Sequence, residues 1–171
     1  MSGLVIILRL IHLVAGVFWV GAVMFLNILL GPSVMATGPD GMKVMRELRR
    51  RRYMNHLIGA GALTILSGFG LVWVDSNGFQ PEWFRSHFGI AISTGMLTAT
   101  VAWLIGVFAI YPVGEEMARL GAAMGEAASD DARSAVGVEM MAVRGRLIRF
   151  SSIGMLLLLV AVLTMAVARY V

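Results

Sequence analysis

Four long apolar blocks, separated by short polar segments, dominate the pattern of residues along the chain. The blocks cover about residues 4–30, 53–74, 82–111 and 147–168. Because about 20 residues of α-helix cross the roughly 30 Å hydrocarbon core of a bilayer, each block is long enough to span a membrane. The pattern therefore predicts an all-α integral membrane protein, a four-helix bundle that forms a single domain over residues 1–171.

Proline residues lie at the ends of the apolar blocks. Pro32 follows the first apolar block, Pro81 stands at the start of the third and Pro112 at its end, where proline typically begins or stops a helix. The polar segments between the blocks are longest at residues 40–52 and 113–146. We predict that both form helical extensions on the same side of the membrane. No segment has the composition of a separate soluble domain.

Lysine and arginine are concentrated in these two long connections. Residues 40–52 hold six of these cations and residues 113–149 hold five, whereas the opposite side of the predicted bundle holds only Arg9, Arg85 and Arg169. Loops rich in Lys and Arg stay in the cytoplasm. We therefore expect long cytoplasmic loops 1 and 3, both termini outside, and a multi-pass protein of the bacterial inner (cytoplasmic) membrane.

The composition supports a membrane location and excludes several classes of site. Of the 171 residues, 58% are hydrophobic and 14% are charged, against about 25% charged residues in soluble domains. The net charge of +4 comes mainly from the arginine run 49–52, which we interpret as a topology signal and a contact for anionic lipids, not as a nucleic-acid-binding patch. The absence of cysteine excludes disulfides, iron–sulfur clusters and thiolate-ligated metals.

The three histidines are the candidates for metal chemistry. His12 lies about eight residues into the first predicted helix and His87 about five or six into the third, so we expect both rings at a similar depth near the outer end. An ionisable residue inside a membrane helix is costly and generally functional. We predict haem b with His12 and His87 as its two axial iron ligands, facing each other across the bundle. His56 lies at the cytoplasmic end and has no partner of matching depth.

Other residues near the same depth suit a haem pocket. Gly16 on the first helix and Gly68 on the second provide bare backbone beside a flat macrocycle, and Trp19 follows one turn further along. Arg9 and Arg85 are placed to bind the haem propionates. Each feature also has a structural alternative: a histidine that bridges two helices, glycines that permit close packing, and arginines that reach the lipid headgroups.

About the first seventy residues carry a recognisable pattern. Its positions are Arg9-Leu10-Ile11-His12, Gly16, Trp19, Gly21, Phe25, Asn27 and Pro32. The pattern resembles the first helix of the membrane part of cytochrome-fused urate oxidases and of related small haem-binding membrane proteins. It is also similar to the copper-resistance D family and to the membrane protoporphyrinogen oxidases of bacteria. These families are helical bundles with a histidine early in the first helix, and the resemblance implies haem binding.

The chain departs from these families at other positions. It has no Cys-x-x-Cys-His site and fewer membrane helices than the urate oxidases, which argues against urate oxidation. The exit from the first helix is Gly31-Pro32-Ser33, where the protoporphyrinogen oxidases have a Pro-Arg-Leu-type exit. They also carry a lysine in a later helix, and His87 occupies the comparable place here. These differences favour bis-histidine ligation over the arrangement in the oxidases.

The expected function follows from the ligand set. An iron with two protein ligands has no open position, so we expect electron transfer near the outer face in preference to oxygen chemistry. Two alternatives stay open: a haem-dependent enzyme of the protoporphyrinogen oxidase type, and a copper transport protein of the copper-resistance D type that uses His12, His87 and some of the 13 methionines. The expected partners are the lipid bilayer and a redox protein or quinone. A homo-oligomer also stays open, and no nucleic acid is expected.

Overall fold

The computed structural model describes residues 3–171, which are almost entirely helical and contain no β-strand. Six helices make up this part of the chain: α1 Gly3–Ala36, α2 Pro39–Arg50, α3 Tyr53–Asp75, α4 Pro81–Arg85, α5 His87–Glu126 and α6 Asp130–Tyr170. Four of them, α1, α3, α5 and α6, are long and apolar enough to cross a membrane. The prediction of an all-α protein with four helices long and apolar enough to span a membrane is therefore confirmed.

The four spanning helices pack as two antiparallel pairs. In the pair α1–α3, Leu8 lies against Gly70 and Trp19 lies against Gly61. The second pair, α5–α6, packs as extensively as the first. Smaller contacts join α3 to α5 and α6 to α1, so the bundle is closed and α1 and α5 occupy opposite corners. One end carries residues 37–52 and 113–146 and is called the loop end; the other, which carries α4, is called the terminal end.

Small side chains around one indole form the core of the bundle. Trp19 is 5% exposed and packs with buried residues of the other three spans, namely Leu57, Ala99, Ala102, Leu158 and Ala161. The Trp103 indole N–H donates to the backbone oxygen of Ile58 at 2.9 Å and so fixes α5 against α3. Many apolar side chains of the spans point away from this core and are exposed, as expected of helices whose outer faces meet lipid.

Two widened helical turns lie ahead of prolines that the sequence predicts to stand at helix ends. Residues Leu26–Leu30 and Gly106–Ile110 form π-helical turns, and the helices continue past Pro32 and Pro112. A proline has no N–H, and its ring clashes with the carbonyl four residues earlier. A turn with one extra residue moves that carbonyl aside. In the first turn the Asn27 amide donates to a carbonyl one turn earlier at 2.8 Å.

Ion pairs bind the segments of the loop end together. The Arg49 guanidinium lies 2.5 Å from the Glu115 carboxylate and joins α2 to α5, and Arg146 lies 2.5 Å from Glu116 and joins α6 to α5. A second apolar cluster packs α5 against α6 there, and its buried members are Val113, Leu120 and Val143. The long connections are therefore ordered helical extensions of the bundle.

Candidate functional site around His12

His12 is held between α1 and α3. Its ring is partly buried, and Nδ1 lies 2.8 Å from the backbone oxygen of Thr64. Since a carbonyl oxygen can only accept, Nδ1 carries the proton and donates it. The same oxygen also accepts from the Ser67 hydroxyl at 3.1 Å. The Thr64 hydroxyl donates elsewhere, to the backbone oxygen of Ala60 at 2.8 Å.

Two glycines let the helices approach at this level. A Cβ atom on Gly68 would lie 3.0 Å from His12 Cε1 and 3.2 Å from Nδ1, closer than ordinary contact allows. Gly68 therefore makes room for the imidazole itself. A Cβ atom on Gly16 would lie 3.4 Å from the Thr64 methyl group, an ordinary contact. The structure thus brings His12, Gly16 and Gly68 together, and it gives both glycines a role in helix packing.

The hydrogen bond to Thr64 determines what the His12 ring can do. With the proton on Nδ1, the other ring nitrogen of a neutral imidazole, Nε2, keeps a lone pair. Nε2 forms no hydrogen bond with any residue from 3 to 171. This is the tautomer of a histidine that binds a metal through Nε2, with a backbone carbonyl fixing the ring from the other side.

His87 lies apart from this group. It is the first residue of α5 and its side chain is exposed, whereas His12 lies nine residues after the first helical residue of α1. Ser86, which precedes it, is extended, and its hydroxyl accepts from the Gly89 N–H at 3.0 Å. The break at Ser86 separates α4 from α5, so the third span begins later than the sequence predicts. His87 is therefore at the very start of its helix, not within it.

The remaining residues proposed from the sequence are dispersed. Trp19 is buried in the core seven residues beyond His12, about 10 Å further along α1. Arg9 and Arg85 are exposed, and neither forms an ion pair with the described acidic residues. Both arginines are therefore free to meet an anionic group at the terminal end, whereas the indole of Trp19 serves the packing of the bundle.

Aromatic rings cluster at the terminal end beside His87. Trp83 meets Phe84 edge-on at 5.0 Å between ring centroids and Phe88 at 5.8 Å. Trp73 meets Phe79 edge-on at 5.1 Å. Edge-to-face pairs of this kind are favourable beyond the area that they bury. They fix the short α4 against the ends of α3 and α5, next to the position of His87.

Three hydroxyl residues are not identified from the sequence: two beside His12 and one on α5. Thr64 and Ser67 meet His12 through a backbone oxygen, and the only signal is that both lie within one turn of Gly68. Among residues 3–171, the hydroxyl oxygen of Ser93 on α5 is the one buried side-chain polar atom without a hydrogen-bond partner. Its neighbour Thr94 instead donates to a carbonyl one turn earlier, at 2.8 Å.

Two concave surfaces lie outside the His12 site. A cradle of about 450 Å³ on α2 is lined by Lys43, Arg46, Glu47, Arg49 and Arg50. In it, hydrogen bonds from Arg50 and Arg51 lower the pKa of Glu47 to about 2. An apolar groove of about 790 Å³ between α1 and α3, called the α1–α3 groove, is lined by Leu10, Ile11, Val14, Ala15, Phe18, Asn55, His56, Gly59, Ala60 and Leu63. Neither surface is lined by His12 or His87.

The part of the chain that the structure describes contains no group of three or more His, Cys, Asp or Glu side chains able to hold a metal ion. Comparison of the chain with protein-family models, with curated proteins and with solved structures gives no significant match. The case for a function accordingly rests on the geometry around His12.

Proposed function

We propose that the protein is a membrane b-type haem protein that transfers electrons, with His12 as an axial ligand of the iron through Nε2. The proposal depends above all on the 2.8 Å hydrogen bond from His12 Nδ1 to the Thr64 oxygen. This bond holds the ring orientation and makes Nε2 a better electron-pair donor. Bound haem would supply one-electron redox chemistry at this position.

The surroundings of His12 suit an iron-binding imidazole that is held in a fixed orientation. Gly68 confines the ring on one side because only the glycine hydrogen fits there. The buried Trp19 and its neighbours form a packed core on the loop-end side of the site. Arg9 and Arg85 provide unpaired cations for the propionates. In this proposal Gly68 confines the ligand, Arg9 and Arg85 would hold the propionates, and none of these residues reacts itself.

The buried hydroxyl group of Ser93 gives independent support for a bound ligand with polar atoms inside the bundle. A buried hydroxyl without a partner costs about 1–3 kcal/mol, and Ser93 carries this cost six residues beyond His87 on α5. A polar atom of a bound cofactor would supply the missing hydrogen bond. Because of this cost, we propose Ser93 as a contact of the cofactor on α5.

His87 is the proposed second ligand. It is the other histidine of the terminal end, because His56 lies in the first turn of α3 at the loop end. Its ring is exposed at the first residue of α5, so we propose that it turns towards the bundle when haem binds. Two histidine ligands fill the iron coordination and suit electron transfer, whereas His12 alone leaves one position open.

The orientation proposed from the sequence places this site at the outer face of a bacterial inner membrane. Its support is the excess of Lys and Arg at the loop end, in residues 40–52 and 113–149. An electron carrier at the outer face needs a donor and an acceptor there or within the bilayer. We propose a redox protein or a quinone as the partner class.

A spectrum tests the proposal. The protein is purified from haem-replete cells, and its reduced-minus-oxidised absorption spectrum and its haem and copper contents are measured. The wild type is expected to contain one haem b per chain with a low-spin spectrum and no stoichiometric copper. We expect His12→Ala to lose the haem and His87→Ala to keep it with an altered coordination state.

His56→Ala is the matched control, because it removes a histidine from the other end of the bundle. Its spectrum should equal that of the wild type. Gel filtration and circular dichroism show that each variant is folded. A wild-type protein without haem, or one whose spectrum survives in His12→Ala, would overturn the proposal. Copper in place of haem would favour the transport alternative.

A further inference from the structure

The α1–α3 groove has the length of a lipid chain. Trp19 and Gly61 lie side by side, and from them the groove extends nine residues along α1 to Leu10 and five residues along α3 to His56. At about 1.5 Å per residue the groove is about 21 Å long. One leaflet of a bilayer is about 15 Å thick in its hydrocarbon part, half of the roughly 30 Å core. The groove is therefore longer than the hydrocarbon part of one leaflet and is long enough to hold a single acyl chain.

The walls of the groove are apolar and its floor is shallow. Val14 and Leu63 stand at its sides with exposed side chains, 70% and 53% accessible. Between them lie Ala15, Gly59 and Ala60, whose small side chains leave the space open. A Cβ atom on Gly59 would meet no other atom within 4 Å. The groove is thus shaped by small residues at its centre and by larger ones at its rim.

The mouth of the groove at the loop end is polar, and a cationic residue lies next to it. Asn55 and His56 line it and are exposed, and Arg52 immediately precedes α3 in a left-handed conformation with φ 53°. His56 Nδ1 lies 3.0 Å from the Arg52 backbone oxygen, so the two residues are adjacent at the mouth.

Arg52 carries a positive charge that no acidic side chain offsets. Its neighbours are paired: Arg49 with Glu115, and both Arg50 and Arg51 with Glu47. Arg52 forms no ion pair within residues 3–171. Arg52, whose backbone oxygen contacts His56 at the mouth, therefore brings this charge within one side-chain length of an apolar groove. A cation beside an apolar groove is the complement of an anionic headgroup on an acyl chain.

We propose that the α1–α3 groove binds one anionic phospholipid, with one acyl chain along the groove and the phosphate held by Arg52. Asn55 and His56 provide polar contacts to the headgroup. The charge of Arg52 favours a phosphate over the neutral headgroup of a quinone. The phosphate end of the site lies at the loop end, away from His12, and neither His12 nor His87 lines the groove, so the proposal does not depend on the presence of haem.

Lipid retention tests this site. The full chain is purified in mild detergent and analysed by native mass spectrometry after addition of phosphatidylglycerol or phosphatidylethanolamine with identical acyl chains. We expect the wild type to retain one phosphatidylglycerol per chain in preference to phosphatidylethanolamine. Arg52→Gln should lower the retention of phosphatidylglycerol about fivefold, whereas Arg52→Lys should keep most of it.

A second pair of variants tests the groove itself. Gly59→Leu fills its centre, at a position where a Cβ atom meets no neighbour within 4 Å, and should also lower retention about fivefold or more. Gly21→Leu is the control, since Gly21 is equally open but does not line the groove. Equal retention of both lipids by the wild type, unchanged retention in Gly59→Leu, a co-purified quinone, or a dimer that Gly59→Leu dissociates would each overturn the proposal.

Discussion

His12 and Thr64 are 52 residues apart in the chain, yet the imidazole of one donates to the backbone oxygen of the other across 2.8 Å. Because the acceptor is a main-chain atom, the bond depends on how α3 is set against α1 and not on the side chain of Thr64. Gly68 bears directly on that setting, since a side chain there would meet the His12 ring at 3.0 Å. Substitution of Gly68 therefore tests the site more directly than substitution of Thr64 does.

Gly68→Ala is expected to displace the His12 ring. The added methyl group would lie 3.0 Å from Cε1, so the ring or the helix has to move by several tenths of an ångström. Overpacking of this kind costs about 1–3 kcal/mol. We expect a lower midpoint of thermal unfolding in detergent and, under the proposed function, a lower haem content.

Gly59→Ala is the control for this substitution, since it lies on the same helix and its added methyl group meets no neighbour. Its unfolding midpoint and haem content should equal or exceed those of the wild type. If both variants behave alike, helix propensity and not the contact with His12 explains the effect of Gly68→Ala.

The ion pairs of Glu47 should make stability at the loop end depend on pH. Arg50 and Arg51 donate to the Glu47 carboxylate at 2.7 and 2.8 Å and lower its pKa from 4.5 to about 2. A lowered pKa contributes stability above pH 4.5, and this contribution is lost as the pH falls towards 2. We expect the unfolding midpoint of Glu47→Gln to vary less over this range than that of the wild type, as measured by circular dichroism. A parallel dependence in both proteins would show that other carboxylates dominate.

The pair Arg49–Glu115 should couple α2 to α5 weakly but measurably. The two side chains are 40% and 50% accessible, so solvent screens their attraction. Exposed pairs contribute about 0.2–1 kcal/mol. A double-mutant cycle with Arg49→Gln and Glu115→Gln, followed by unfolding in detergent, should give a coupling energy in this range. The same cycle on Arg49 and Glu139 serves as the control, because Glu139 pairs with Arg119.

The orientation of the bundle can be read directly because the chain contains no cysteine. Ser134→Cys and Gln80→Cys place single thiols at exposed positions of the loop end and the terminal end. In right-side-out membrane vesicles a membrane-impermeant maleimide should label Gln80→Cys and spare Ser134→Cys. Inside-out vesicles should give the reverse pattern. The opposite result would place His12 near the cytoplasmic face.

The sequence was sufficient for the four spans but not for the details of the site. The spans follow from the length and the overall hydrophobicity of the apolar blocks, which a few polar residues within a block do not change. The position of His87 depended on one extended residue, Ser86, which the composition of the block does not reveal. The partner of His12 is a backbone oxygen, and every residue offers one. Only the packing of α1 on α3 selects Thr64, with Gly68 beside it.

The π-helical turns ahead of Pro32 and Pro112 divide two of the spans into segments with different angular phase. One extra residue in a turn rotates everything that follows by about 100° relative to an uninterrupted α-helix. In each of these spans, the segment before the π-helical turn and the segment after it therefore need separate helical-wheel projections. Any chimera or redesign that joins the two ends has to preserve the extra residue, or each face beyond the junction will point in a new direction.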